Sequence, residues 1–140
     1  MGASALAAAL LLPACGAEGG NGGGGGGDGP AGRPGPAVEL QVQFWADGAR
    51  TDGLTATLMC DPAGGTHPRP DEACAALAAH PEALEPVPAD AACTQIYGGD
   101  ETAEVTGVVT GQQVKAGFSR ENGCEIARWD ALAPLLRLTD

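Results

Sequence analysis

Four cysteines constrain the fold of this chain more than any other feature of its sequence. They are Cys60, Cys74, Cys93 and Cys124. Four cysteines allow three disulfide pairings, and the residues alone do not choose among them. A zinc site is the competing interpretation, but there is no Cys-x-x-Cys pair, and His67 stands midway between two cysteines in a proline-bounded turn. The pattern therefore favours disulfides, which persist in exported proteins.

The first fifteen residues have the features of an export signal. Ala3 to Leu12 is an apolar run that is too short to span a bilayer. The sequence Leu12-Pro13-Ala14-Cys15 resembles a bacterial lipobox, in which Cys15 is lipidated and becomes the mature N-terminus. An ordinary secretory signal with an incidental Cys15 is the alternative. We favour the lipoprotein because it accounts for the odd fifth cysteine.

A glycine- and proline-rich tract over residues 16–37 follows the lipobox and includes an unbroken run from Gly22 to Gly27. Such a tract has almost no apolar side chains with which to offset the entropy of ordering. The predicted organisation is therefore a signal peptide with lipobox over 1–15, a disordered tether over 16–37 and one folded domain over 38–140.

Alternating apolar and polar residues predict two β-hairpins within the domain. Val38 to Phe44 alternate with a period of two, and Leu54 to Cys60 repeat the pattern after Asp-Gly turn signals. Val105 to Val109 and Gln112 to Phe118 form the second predicted hairpin, across Thr110-Gly111. We therefore expect an antiparallel sheet.

Two short helices are predicted between and after the hairpins. The first runs from Pro70 to Ala79, with acidic residues in its first turn and Pro81 after its end. After Cys124, apolar residues recur at helical spacing as far as Leu132, and Pro134 interrupts the pattern. The second predicted helix is thus followed by an extended tail.

Four large side chains have simple structural interpretations. We expect Trp45 and Trp129 to be core or dimer-contact residues. Arg128, and Arg120 with the nearby Glu121 and Glu125, are predicted to form surface ion pairs of little energetic weight.

Several short motifs occur in the order found in a known family. They are Gly-Thr-His-Pro-x-Pro from Gly65, Ala-Cys-x-x-Leu from Ala73, a third cysteine opening a short exposed loop, Val-x-Gly from Val105, Gly-x-x-Val from Gly111 and Asn-x-Cys-Glu from Asn122. Together with the cysteine spacings, they resemble the Streptomyces subtilisin inhibitor family over about residues 38 to 140. The resemblance implies an α+β fold, with an antiparallel β-sheet, two short helices packed on one side and two disulfides.

The resemblance also implies which cysteines are joined and where the protein acts. It implies disulfides between Cys60 and Cys74 and between Cys93 and Cys124, which would contribute roughly 3 and 4 kcal/mol. In that family the residue two positions after the third cysteine enters the specificity pocket of a subtilisin-type serine protease. The implied reactive bond is Gln95-Ile96, in a loop opened by Cys93 and flanked by Thr94 and Tyr97.

The same loop departs from the pattern of the family. Thr94 replaces the usual proline, and Gly98-Gly99 replaces the usual Asp-Pro. Both changes predict a looser loop and weaker inhibition. We expect Gln95→Met to strengthen binding, and proline at position 99 to help where the backbone angles permit it.

Catalysis is not indicated by the sequence. Ser119 is the one serine in the predicted domain, and His67 and His80 lie in a proline-rich turn and at a helix end, without a triad motif. We expect no catalytic residue, no metal and no cofactor.

The charge balance and the resemblance bear on partners. With 18 acidic and 7 basic residues the net charge is −11, which argues against nucleic acid as a partner. Family members are commonly homodimers, so the resemblance implies a homodimer, and contact with a membrane is expected through the lipid anchor alone. The alternative function is a non-inhibitory extracytoplasmic binding lipoprotein on the same scaffold.

Overall fold

A five-stranded antiparallel sheet with three helices is the architecture of residues 37–139, the part of the chain that the computed structural model describes. The strands, in the spatial order β3-β2-β1-β4-β5, are β1 (Val38–Trp45), β2 (Leu54–Cys60), β3 (Gly64–Gly65), β4 (Thr102–Val109) and β5 (Gln112–Phe118). The helices are α1 (Pro70–Ala79), α2 (Gly123–Ala131) and α3 (Ala133–Leu136), and a 3₁₀ turn covers Pro81–Leu84. The α+β fold and both predicted hairpins are confirmed.

The predicted signal peptide and lipobox, and the tether up to residue 36, lie outside the described residues. Within residues 37–139, no helix is long and apolar enough to cross a membrane.

One face of the sheet is buried and the other is open. In β1, Val38, Leu40, Val42 and Phe44 are buried, whereas Glu39 and Gln41 between them are exposed. The helices cover the buried face, where Trp129 of α2 and Leu135 of α3 join the core. The prediction that Trp129 is a core residue is therefore confirmed, and the helices lie on one side as expected.

The helix α1 has the predicted bounds. Pro70 occupies the first turn, where no amide hydrogen bond is lost, and Asp71 and Glu72 complement the positive end of the helix dipole. Its next turns bury Ala73 and Leu77, while Cys74 is joined to Cys60 by a disulfide with a Cα–Cα distance of 5.8 Å. This disulfide links α1 to the end of β2.

The expectation of an extended tail after Pro134 is wrong for the first residues that follow it. The short helix α3 covers Ala133–Leu136, with Pro134 in its first turn. Proline at that position lacks an amide hydrogen that the helix would not use, so Pro134 is compatible with the start of α3, and Leu132 is both the C-cap of α2 and the N-cap of α3. In α3, Leu135 and Leu136 are fully buried, and this burial stabilises the helical conformation.

His67 has a structural role in the turn before α1. Its side chain is 4% exposed, its Nδ1 accepts a hydrogen bond from the Arg69 N–H at 3.1 Å, and its Nε2 lies 3.0 Å from the Leu135 carbonyl oxygen. Because Nδ1 accepts, Nε2 carries the hydrogen and donates it to Leu135. Among residues 37–139, no group of three His, Cys, Asp or Glu side chains is placed to hold a metal ion.

Arg128 is not the surface ion pair that the sequence predicted. Its side chain is 11% exposed, Nε donates to the Ala83 carbonyl oxygen at 3.1 Å, and Nη1 donates to Gly117 O at 3.3 Å and to Glu125 Oε2 at 2.7 Å. The guanidinium also lies 4.6 Å from the centroid of the Phe118 ring. Arg128 therefore joins the 3₁₀ turn, β5 and α2 through partners distant in sequence.

Arg120 also has a different partner from the one predicted. It lies 3.5 Å from Glu101, rather than pairing with Glu121 or Glu125. Trp45, at the end of β1, is partly exposed, and the Arg50 guanidinium lies 4.9 Å from its ring centroid.

Candidate functional site

An exposed segment without helix or strand structure, residues 93–100, precedes β4 and is called here the binding loop. Its most prominent side chains are Ile96, which is 58% exposed, and Tyr97, which is 64% exposed. Gln95 is exposed beside them. Large apolar side chains that a fold leaves in solvent next to one another mark surfaces that bind other molecules. The implied reactive bond Gln95-Ile96 therefore lies where a partner can reach it.

The N-terminal side of the binding loop is fastened to the start of α2. Cys93 and Cys124 form a disulfide with a Cα–Cα distance of 5.3 Å. The Thr94 carbonyl oxygen accepts a hydrogen bond from the Gly123 N–H at 2.9 Å. The Thr94 hydroxyl lies so close to Gly123 that a Cβ at that position would overlap it. Thr94 is thus packed against the helix terminus, although it replaces the proline usual in the family.

The C-terminal side of the binding loop is fastened to the residues just before α2. The Gly98 N–H donates a hydrogen bond to the Arg120 carbonyl oxygen at 2.7 Å. A Cβ on Gly98 would lie 3.0 Å from two side-chain carbons of Ile126 and 3.2 Å from Cβ of Arg120. Gly99 has φ +140°, a conformation that favours glycine. The two glycines therefore fit this fastened geometry, in which a larger residue would crowd Ile126 at position 98 and be strained at position 99.

The segment that supports both sides of the binding loop is itself held in place. The Asn122 side chain accepts hydrogen bonds from the N–H groups of Cys124 and Glu125, both at 3.0 Å, and so caps α2. Residues 120–124 run directly from the end of β5 into this capped helix. The three exposed residues Gln95, Ile96 and Tyr97 thus lie between two attachments to the same segment, residues 120–124.

The side chains of the binding loop make few contacts of their own. The Gln95 amide nitrogen lies 3.5 Å from the Cys93 carbonyl oxygen, at the limit of a hydrogen bond. The Tyr97 hydroxyl donates to the Asp100 carboxylate. Gln95 and Ile96 are therefore available to a partner without breaking a strong internal contact.

Four residues that shape the binding loop were not identified from the sequence. They are Asp100, Arg120, Gly123 and Ile126. The one available signal was Asn122, because asparagine is favoured as the N-cap residue at the start of a helix.

The side chains of both histidines, His67 and His80, have contacts with groups other than Ser119. Both ring nitrogens of His67 are within hydrogen-bond distance of main-chain groups, and Nδ1 of the exposed His80 lies 3.4 Å from Glu82. Neither contact involves Ser119, so these described residues do not form a nucleophile and base.

Comparisons with known proteins agree with the resemblance seen in the sequence. A family model described as "Subtilisin inhibitor-like" matches residues 37–122, which include the whole binding loop. Subtilisin inhibitor-like protein 1 from Streptomyces cacaoi is 38% identical over 80 residues, covering 54% of this chain and 72% of that protein. A structural match is sermetstatin from Streptomyces caespitosus in complex with Bacillus licheniformis subtilisin, with a TM-score of 0.44 and 24% identity over 69% of this chain and 94% of that chain.

The family model matches more than half of the chain, and the Streptomyces cacaoi protein is similar over most of its length. The assignment made from the sequence motifs is confirmed, and with it the interpretation as a protease inhibitor rather than an enzyme. This chain belongs to the subtilisin inhibitor-like family.

Proposed function

We propose that this protein inhibits a subtilisin-type serine protease by presenting Gln95-Ile96 as a substrate-like reactive bond. The observation that carries the proposal is the fastening of the binding loop on both sides of three exposed residues. Cys93 and Thr94 are held on one side of the bond, and Gly98 is held on the other. Proteases bind their substrates as extended strands through main-chain hydrogen bonds. A loop that is already ordered avoids much of the entropy cost that a flexible peptide incurs on binding.

The same contacts explain why cleavage would be unproductive. If the Gln95-Ile96 bond is hydrolysed, the new carboxyl end stays attached through the Cys93–Cys124 disulfide and the Thr94–Gly123 hydrogen bond. The new amino end at Ile96 is two residues from Gly98, which is bound to Arg120. Both ends therefore remain close together, which slows their release and allows the bond to re-form.

The exposed side chains have distinct roles in this mechanism. Gln95 enters the primary specificity pocket, with Thr94 and Tyr97 as flanking contacts. Because burial of the Gln95 amide requires removal of its water, a purely apolar pocket gains less from it than from an aliphatic side chain. We therefore expect inhibition of subtilisin-like proteases that is measurable but weaker than an apolar residue at position 95 would give.

The test is a titration of protease activity with the purified protein, against a panel of subtilisin-like and trypsin-like enzymes, with mass analysis of any cleaved product. Saturable inhibition with slow cleavage confined to Gln95-Ile96 supports the proposal. Rapid cleavage at this bond without inhibition would instead favour the non-inhibitory binding lipoprotein.

Replacement of Gln95 by methionine is expected to tighten inhibition of subtilisin by about tenfold, because an unbranched apolar side chain buries more area without losing amide hydration. Gln95→Pro is expected to abolish inhibition, since proline lacks the main-chain N–H. Gln113→Met is the matched control, because Gln113 is exposed on β5 outside the binding loop. Equal inhibition constants for Gln95→Met, Gln95→Pro and the unchanged protein would contradict the assigned contact.

Attachment to a membrane through Cys15 is the second part of the proposal. It is supported by the lipobox-like sequence and by the glycine-rich residues that follow it. An extracytoplasmic location suits both the disulfides and a protease as the partner. An inhibitor on such a tether samples a shell of space outside the membrane.

Expressed with a functional export signal, the protein is expected to partition into detergent and to carry a diacylglycerol on Cys15. Cys15→Ala is expected to release it or to block its processing, as measured by phase partitioning and mass spectrometry of the N-terminal peptide. Recovery of the unchanged protein in the medium, without lipid and cleaved elsewhere, would contradict the anchor.

The implied homodimer remains a prediction. The open face of the sheet is the surface available for it, and Met59 on that face is 38% exposed.

A further inference from the structure

Three arginines converge on one cavity in a protein that has few basic residues. Arg69, Arg120 and Arg137 line a cavity of about 310 Å³, together with Trp129 and Glu101. We call it the arginine pocket. These are three of only seven lysines and arginines in a chain with a net charge of −11. Their convergence on one place is therefore not a consequence of composition.

Three separate parts of the fold bring the arginines together. Arg69 precedes α1, Arg120 lies between β5 and α2, and Arg137 follows α3. Trp129, from α2, lies with its ring centroid 6.0 Å from the Arg120 guanidinium. Because the pocket depends on all three helical segments, it is a property of the folded domain and not of a local sequence motif.

The residues of the arginine pocket hold most of the unsatisfied polar atoms in the described part of the chain. Five side-chain polar atoms within residues 37–139 are buried without a hydrogen-bond partner, and four of them belong to residues that line this pocket. They are Arg69 Nε, Arg120 Nε, Trp129 Nε1 and Glu101 Oε2. Native proteins rarely leave such groups without a hydrogen-bond partner, whether protein, water or ligand. Three donors and one acceptor on residues around a single cavity are thus available to a ligand or to water.

The ion pairs already present leave the arginines with spare donors. Arg69 Nη1 lies 3.7 Å from Glu72, and Arg69 Nη2 donates to the Arg137 carbonyl oxygen at 3.3 Å. Arg120 Nη1 lies 3.5 Å from Glu101 Oε1. These distances are long for charge-assisted hydrogen bonds, and each guanidinium has five N–H donors. The three arginines outnumber Glu72 and Glu101, the two carboxylates that lie near them in these ion pairs.

We propose that the arginine pocket binds a small oxyanion that also carries a hydroxyl group, the simplest example being monohydrogen phosphate. The arginines and the Trp129 N–H supply donors for the charged oxygens. Glu101 accepts hydrogen bonds and cannot donate them while ionised, so it selects a ligand with an O–H of its own. A cavity of this volume is roughly ten times the share of one water molecule in the liquid, which is ample for such an anion.

The test uses the full-length protein and inorganic phosphate at mildly alkaline pH and constant ionic strength, followed by calorimetry and by tryptophan fluorescence. Saturable binding of phosphate is expected, with sulfate at least about tenfold weaker because sulfate lacks the hydroxyl. Lactate, which carries a hydroxyl group, and acetate, which does not, are compared in the same way. The affinities for phosphate and lactate then show whether a phosphate or a hydroxycarboxylate is the preferred oxyanion. The absence of saturable binding by both hydroxyl-bearing anions would overturn the proposal and leave ordered water as the partner.

Variants separate the pocket from general electrostatic attraction. Arg137→Gln is expected to weaken phosphate binding by about tenfold, because it removes one of the charged hydrogen-bond donors. Arg137 is exposed, so its replacement leaves the core intact. Lys115→Gln removes the same charge from β5, outside the pocket, and is expected to leave the affinity unchanged. Glu101→Gln is expected to bring the affinity for sulfate up to that for phosphate. Equal losses in the Arg137 and Lys115 variants would overturn the assignment, as would an unchanged preference in the Glu101 variant.

Discussion

A variant in which Cys93 and Cys124 are both replaced by serine is expected to be cleaved rapidly at Gln95-Ile96 and to lose lasting inhibition. The disulfide is the covalent link between the binding loop and α2. Without it, the new carboxyl end at Gln95 is held by the Thr94–Gly123 hydrogen bond, a contribution of about 1 kcal/mol. The cleaved ends then separate faster than the bond can re-form, so the inhibitor becomes a substrate.

The second disulfide provides a matched control. The cysteines of the Cys93–Cys124 pair are 31 residues apart and those of the Cys60–Cys74 pair are 14 apart, which corresponds to about 4 and 3 kcal/mol of stability in the chain-entropy view. Replacing Cys60 and Cys74 by serine thus lowers the free energy of unfolding by a similar amount without touching the binding loop.

Both double variants should therefore melt at lower temperature than the unchanged protein. Only the Cys93/Cys124 variant should be cleaved rapidly by the protease. The measurements are the inhibition constant, the rate of cleavage and the thermal midpoint, taken where circular dichroism shows both variants to be folded. Non-reducing peptide mapping of the unchanged protein checks that each link is the one removed. Lasting inhibition by the Cys93/Cys124 variant would refute the role given to this disulfide.

The positions of the strands and the first helix were predictable because their signals are local. Alternation from Val38 to Phe44 follows directly from a sheet with one buried face, and Pro70 with the acids after it marks a helix start. The helix that includes Pro134 could not be predicted from local sequence signals. A proline that breaks one helix is also well suited to the first turn of another, and only the burial of Leu135 and Leu136 decides between these outcomes.

The surroundings of the binding loop were less predictable because they depend on contacts between distant segments. The resemblance placed the reactive bond two residues after Cys93, but no local pattern indicates that Arg120 accepts from Gly98. The burial of Arg128 likewise requires carbonyl groups from Ala83 and Gly117, which only the folded chain brings together. Main-chain partners of this kind carry no side-chain signature in the sequence.

For the glycines of the binding loop, the effect expected from the sequence differs from the one that the structure indicates. Read from sequence, Gly98 and Gly99 represent conformational freedom, and a proline at position 99 would remove it. In the structure, Gly98 permits close packing against Ile126, and Gly99 adopts a φ of +140°. The requirement for glycine therefore comes from how the loop is fastened, and it reverses the effect expected of proline.

Replacing Gly99 by proline is accordingly expected to weaken inhibition by about 100-fold or more. Proline restricts φ to about −65°, so the backbone at position 99 must rotate far from the +140° that it adopts. The rotation displaces the neighbouring Gly98, whose N–H is bound to the Arg120 carbonyl oxygen at 2.7 Å. The new amino end at Ile96 then loses its attachment, and the bond-forming geometry is lost with it.

Two alanine variants distinguish this mechanism from a general loss of stability. Gly99→Ala is expected to have an intermediate effect, since alanine is strained at positive φ and its Cβ would meet the Glu101 carboxylate, which is the mobile end of a side chain. Gly117→Ala, on β5, meets nothing within 4 Å and is expected to leave inhibition unchanged. Inhibition constants and thermal midpoints are measured for the three variants. Gly99→Pro is expected to inhibit most weakly, Gly99→Ala to be intermediate, and Gly117→Ala to inhibit as strongly as the unchanged protein. Tight inhibition by Gly99→Pro would show that the binding loop does not depend on the backbone conformation at position 99, and the support assigned to Gly98 and Arg120 would fall with it.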